Sequence, residues 1–257
     1  MSDTNKKAAV ATAIVLLIIV AFFTGFMEKT KKYTISENFD NVEIEGQSSS
    51  IRICLSSDNN TYVRCKGNDR VNVYGDTLTV KEEKEWFSFI SFSSPRIEIY
   101  LPEREYEELM IDTLSGSVDL KDRISFMNVE IESISGSIDA DIEVADRAVF
   151  DSTSGSVKIE DLNNTELAVY TVSGSVRLNN VISESSMIIE TTSGSVKLDN
   201  VDGNSIEIST VSGSVNGKIL SAKQYHVSTV SGSVNVPDSN GAGSFNIETV
   251  SGSIDID

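Results

Sequence analysis

Ser-Gly-Ser recurs eight times in this chain, with glycines at Gly116, Gly136, Gly155, Gly174, Gly194, Gly213, Gly232 and Gly252, always 19 or 20 residues apart. So strict a period confines residues 106–257 to a repeat architecture, in which each repeat is one supersecondary unit stacked on the next. Aligned on the glycine, the position five residues earlier reads Ile111, Ile131, Phe150, Val169, Ile189, Ile208, Val227 and Ile247. The position seven earlier is equally apolar, from Leu109 to Phe245, and the position two later runs from Val118 to Ile254 and is always Val or Ile. Spacing by two on both sides of the glycine is strand periodicity. Each repeat is therefore a strand, a sharp Ser-Gly-Ser corner, a second strand and a looser return. Such a unit predicts an all-β fold, a parallel β-solenoid (β-helix) with coils of 19–20 residues. Eight coils would stack to about 38 Å at the inter-strand spacing.

The glycine reads as a structural turn that supplies a backbone angle a β-carbon would penalise. Three residues before it every repeat has Ser or Thr, from Thr113 to Thr249, with the parity of the apolar positions. That parity buries the hydroxyls, and stacked coils let each bond to its equivalents above and below. Two residues before the glycine stand Leu114, Ile134, Thr153, Val172, Thr192, Val211, Val230 and Val250. Strand parity points this column outward as a regular binding stripe. A corner that begins early turns it inward, and the inward reading is preferred.

Ahead of the repeats lies an uncharged apolar run of twenty residues from Ala8 to Met27. At 1.5 Å per residue it spans about 30 Å, the thickness of a bilayer core. It is too long for a signal-peptide core and no small-x-small cleavage site follows, so it predicts a single transmembrane helix. The organisation expected is a polar tail (1–7), an anchor contacting the membrane (8–27), a linker (28–35), irregular first coils and cap (36–105), and regular repeats (106–257). Lysines flank the run on both sides, so the positive-inside rule scarcely orients it. The β-rich acidic bulk places the large domain outside the membrane.

The full chain carries a net charge of −18, and residues 1–32 are positive, so everything beyond is more acidic still. Nucleic-acid binding requires basic groups to replace counterions and is excluded as a function. One His and two Cys leave nothing with which to build a His/Cys metal centre, and no cofactor is expected.

Residues 33–105 lack Ser-Gly-Ser but keep the alternation, as in Ile51-Arg-Ile-Cys-Leu55 and Ile97-Glu-Ile-Tyr-Leu101. They read as the first coils of the same solenoid, with a separate small β-domain as the alternative. Cys54 and Cys65 fall on neighbouring predicted strands, which permits a disulfide outside the membrane; the other reading is two small, partly buried residues of opposite parity. The segment holding Trp86, Phe87, Phe89 and Phe92 is the one aromatic concentration. It reads either as a protruding hairpin that contacts a partner or the bilayer interface, or as a hairpin packed over the solenoid.

Arg96-Ile-Glu-Ile-Tyr-Leu-Pro102, Leu109-Met-Ile-Asp-Thr-Leu-Ser-Gly-Ser-Val118 and the recurring Thr-Val-Ser-Gly-Ser-Val resemble the bacterial "putative adhesin" family of β-strand-repeat proteins, related to head-GIN-type β-helix domains. The resemblance covers roughly residues 36–257. It implies a cell-envelope β-helix, often membrane-linked and sometimes associated with envelope-stress signalling, and offers no catalytic residues.

Catalytic readings find little support. A nucleophilic serine needs a positioned base, and the lone His226 faces eight equivalent Ser-Gly-Ser turns. Carboxylate pairs such as Glu130/Glu132 and Asp139/Asp141 resemble a solvated acidic face as much as a glycosidase pair. The chain ends in mid-repeat at Ile254-Asp-Ile-Asp257, which suggests an open last coil able to self-associate or to add a partner strand. The function expected is a non-catalytic membrane-anchored rod for adhesion, binding or envelope-stress sensing, whose ligand is an envelope protein or glycan. The alternatives are a cytoplasmic-face scaffold of a membrane stress-response system and, last, a polysaccharide-acting enzyme.

Overall fold

The computed structural model describes residues 30–67, 69–83 and 95–257. The expected anchor from Ala8 to Met27 and the aromatic segment with Trp86, Phe87, Phe89 and Phe92 lie outside the described residues. Among those described, no helix is long and apolar enough to cross a membrane, and every regular element is a strand. The first seven are β1 (Lys31–Ile35), β2 (Asn41–Gly46), β3 (Ser50–Leu55), β4 (Thr61–Lys66), β5 (Asp69–Tyr74), β6 (Thr77–Glu82) and β7 (Arg96–Leu101). The next seven are β8 (Glu105–Thr113), β9 (Val118–Leu120), β10 (Ser125–Ser133), β11 (Ile138–Ala140), β12 (Glu143–Ser152), β13 (Val157–Glu160) and β14 (Asn163–Thr171). The last are β15 (Val176–Thr191), β16 (Val196–Thr210), β17 (Val215–Ile219), β18 (Lys223–Thr229), β19 (Val234–Asn235), β20 (Gly243–Thr249) and β21 (Ile254–Ile256).

All of them hydrogen-bond into one solenoid-like sheet wound around a single core. From β8 onward the longer strand of each coil stacks on a first face and the shorter one on a second, all parallel and in register at the core positions, as where Ile111 lies beside Ile131 and Ile131 beside Phe150. Strands β15 and β16 each run from the second face of one coil to the first face of the next. Alternation does the rest: Ile111, Ile131, Phe150 and Val169 from one face meet Val118, Ile138, Val157 and Val176 from the other, all essentially inaccessible. Each such residue contributes about 1.5–3 kcal/mol through burial. Residues 41–101 supply two further coils of the stack, which makes ten levels, roughly 45 Å long at the inter-strand spacing.

The order of coils departs from chain order at both ends. The β2–β3 coil lies between the β6–β7 coil and the β8–β9 coil. At the other end β20 lies between β16 and β18, and β21 between β17 and β19. The C-terminal coil is thus an inner one, with Phe245, Ile254 and Ile256 buried. This corrects the expectation that it is open and free to self-associate: the outermost coil is β18–β19. Lys223 secures the arrangement. Its buried ammonium reaches across Gly243 of the inserted coil to the Gly203 carbonyl (2.6 Å) and to Asp202 (2.5 Å).

The opposite end carries antiparallel strands, which a purely parallel solenoid does not foresee. On the second face β4 pairs antiparallel with β7 and β1 with β4; on the first, β5 pairs antiparallel with β6. Here Glu82, the last residue of β6, turns its side chain to the β2–β3 corner. Its carboxylate accepts the backbone N–H groups of Gln47 (2.7 Å), Ser48 (3.0 Å) and Ser49 (3.0 Å); at other corners the first two of these positions bond carbonyls of the neighbouring corner and the third bonds the hydroxyl three residues back.

Candidate functional site

The Ser-Gly-Ser corners stack into a column, and its geometry revises two expectations. None of the eight glycines has a positive φ; among the described glycines only Gly75 does. Glycine is required for space. A β-carbon on Gly174 would lie 1.9 Å from the Gly155 carbonyl oxygen, and one on Gly194 1.8 Å from that of Gly174. Nor do the buried hydroxyls form a ladder between coils. Each of Thr113, Ser133, Ser152, Thr171, Thr191 and Thr210 instead accepts the N–H of the glycine three residues on, at 2.8–3.2 Å. The hydroxyl thereby satisfies a donor that the tight corner leaves unpaired.

The column two residues before the glycine points outward, against the preferred inward reading. Leu114, Ile134, Val172, Val211 and Val250 are each 45–51% exposed, and Val230 is 82% exposed. Beside this aliphatic stripe runs a second outward column, four residues before the glycine. Register places Glu45, Asp112, Glu132, Asp151, Tyr170 and Glu190 on successive levels, followed by Ser209, Glu248 and Ser228. Between the two stripes an open groove of about 680 Å³ follows the corner over six levels, from Asp151 and Val172 to Val230 and Val250. At the inter-strand spacing it is about 24 Å long.

Electrostatics separate this face from the second one. There, opposite charges are interleaved: Arg52 meets Asp119 at 2.7 Å, Lys121 lies near Asp119 and Asp139, and Lys158 lies 3.5 Å from Asp139. On the first face, among the described residues, only Glu45 has a basic neighbour in the row, Lys81. From Asp112 to Asp151 like charges stack directly, which is unfavourable. Burial, then Asp112, Asp151 and Glu130, push the Glu132 carboxyl above the usual carboxylate range, and burial does the same to Asp151. The row holds negative charge that the protein itself does not neutralise.

Other candidates are not brought together. His226 is exposed on the first face beside Asn246, six positions from Gly232 and away from the corner serines. Among the described residues no three His, Cys, Asp or Glu side chains are grouped to hold a metal ion. Cys54 and Cys65 are both free. The disulfide reading is corrected because β7 lies between their strands, with Cys54 beside Tyr100 and Cys65 beside Ile97. Two strand spacings, about 9.6 Å, exceed the roughly 7 Å that a disulfide bridges. Cys65 faces the core, and burial pushes its thiol well above its ordinary value.

The acidic column escaped the sequence reading, although the repeat alignment contains it. Its members are mixed in type, and only the register shows them as one row. A stack of coils with exposed linear stripes is, as a class, a repeat-built, solenoid-like all-β domain. The particular family follows from its sequence: the chain belongs to the Toastrack DUF4097 family, whose model matches residues 39–188 and 182–257. Similar solved structures include a "putative adhesin" from Bacteroides fragilis (16% identity, TM-score 0.58) and a "putative lipid binding protein" from Parabacteroides distasonis (18%, 0.58). A second "putative adhesin" from P. distasonis is similar at 14% identity and TM-score 0.55. Each alignment covers 89% of this chain and 96% of the other. At these identities the likeness establishes the fold. No curated protein matches the chain.

Proposed function

We propose that this chain is a non-catalytic, membrane-anchored envelope protein that displays its solenoid outside the membrane and binds an extended ligand along the first-face groove. The observation that carries the reading is an open groove over six coil levels between a column holding Asp151, Glu190 and Glu248, which among the described residues have no basic neighbours in the row, and a parallel column holding the exposed Val172, Val211, Val230 and Val250. The acidic row repels polyanionic polymers and attracts a protein segment or glycan bearing positive groups. The exposed valines of the second column, Val172, Val211, Val230 and Val250, suit apolar groups on the ligand. The relatives named as adhesins agree with a binding role.

The test uses an alternating Lys-Leu peptide as probe and an alternating Glu-Leu peptide as control, titrated against the full chain in detergent. The Lys-Leu peptide binds, and Glu190→Lys with Asp151→Lys weakens it at least tenfold and more strongly at low salt. Equal binding of both peptides, or binding indifferent to the two substitutions, refutes the groove as the site. Protease accessibility on intact cells tests the display. Digestion of the domain before lysis supports it, and survival until lysis returns the cytoplasmic-face scaffold. The cysteines cannot discriminate these two readings, because they do not pair on either side.

A further inference from the structure

The two ends of the stack are built differently. At one end β1, β4 and β5 extend the faces as antiparallel strands, and the chain enters the described fold there, at β1. At the other end the β18–β19 coil bonds inward to β20 and β21, and among the described residues no strand pairs with its outer edges, although the Ser239 hydroxyl takes the Tyr225 N–H (2.7 Å) at the start of β18. Open edges in natural sheets are normally blunted with charge. This one is not. Residues 224–237 contain no Asp, Glu, Lys or Arg, in a chain of net charge −18. The coil also completes its packing on one side only: Tyr225, Val227 and Val236 are partly buried against the core, while Val230 and Val234 stand 82% and 45% exposed.

These features select the occupant. Every interface inside the stack is one repeat laid on another, so a second copy of the repeat brings the matching chemistry. Two strongly acidic molecules repel over most of their surfaces, but they can meet at an uncharged coil without facing each other's carboxylates. The antiparallel strands at the other end make a head-to-tail stack unlike the internal one, whereas edge against edge is isologous and closes at two copies. We propose that two copies of this chain join tail to tail through the outer edges of β18 and β19, and that the pair bridges two membrane surfaces. The second half rests on the displayed, anchored reading above. In such a pair the two β1 strands lie at opposite ends of a rod of roughly 90 Å, twice the length of one stack. On the anchored reading, chains that enter the rod at its two opposite ends come from different membranes.

The test uses the full chain. In detergent, light scattering gives a protein mass of twice 27.9 kDa, reversible on dilution. Val230→Lys combined with Val234→Lys places like charges across the edge and weakens the pair at least tenfold. Both positions are exposed, so circular dichroism and melting temperature stay as in the wild type. The matching Val230→Glu and Val234→Glu variant is also monomeric, and mixing the Lys and Glu variants restores a dimer. In proteoliposomes the wild type clusters vesicles, and Lys-variant vesicles cluster with Glu-variant vesicles but not among themselves. A wild type that stays monomeric, or that forms open-ended chains, overturns the tail-to-tail contact. A dimer in detergent that never clusters vesicles overturns the bridging and places the fault in the displayed, anchored reading, leaving the edge contact intact.

Discussion

Replacing Gly174 with alanine tests the stacked corner most directly. The new β-carbon would lie 1.9 Å from the Gly155 carbonyl oxygen and 2.8 Å from the Thr171 hydroxyl, and neither contact is tolerable below 3.0 Å. The oxygen is backbone, so no rotamer change relieves the clash, and the corner must open by roughly 1 Å in an interior packed at crystal density. Opening strains the hydrogen bonds from Ser173 N to Thr153 O (3.0 Å) and Val172 N to Ser152 O (3.3 Å), together with the Gly174 N–H bond to Thr171 (2.9 Å). Losing two or three such bonds while their groups stay buried costs about 3–5 kcal/mol. Gly75→Ala is the control. Nothing lies within 4 Å of its β-carbon, and only the left-handed φ of 62° opposes the substitution, at about 1 kcal/mol. Urea unfolding ranks the two, and hydrogen exchange localises the damage, because stability in a stack is roughly a sum over neighbouring coils. Protection falls most at the Gly155 and Gly174 levels. If Gly174→Ala costs no more than Gly75→Ala, the corners do not pack backbone on backbone and the reasoning fails.

Glu82 gives a pH-dependent outcome. Burial raises its carboxyl, but the N–H groups of Gln47, Ser49 and Ser48 and the Ser48 hydroxyl outweigh that and hold it below the usual range. A depressed folded value means the stabilisation is present above the unfolded value, near pH 4.3 for a free Glu, and is lost as pH falls through the folded one. Glu82→Gln therefore lowers stability at neutral pH and flattens its decline in acid, read from urea midpoints between about pH 6 and 2. Lys223→Met leaves the Asp202 carboxylate without its buried partner and costs about 3 kcal/mol. Hydrogen exchange then shows loss of protection concentrated in β18, β20 and β21, and unchanged protection there contradicts the role given to Lys223 as a pin.

The repeat alone determined the all-β coil. Aliphatic residues at alternate positions around a fixed glycine can be buried together only if the chain turns at the glycine and stacks coil on coil, so the core residues from Ile111 to Ile254 were legible by parity. So was the opposite facing of Cys54 and Cys65. What the tertiary structure decided are relations between coils that a period cannot order. Equivalent repeats are nearly interchangeable as neighbours, and the insertion of β20–β21 beneath β18–β19 depends on the reach of Lys223 across Gly243, a contact twenty residues apart in sequence. The separation of Cys54 from Cys65 likewise arises because β7, distant in the chain, takes the place between them. The acidic row existed in the sequence as scattered Asp and Glu; only the register of the stack brings Asp112, Glu132 and Asp151 onto successive levels and Glu190 and Glu248 into line with them, because like groups interact through the strand spacing and not along the chain.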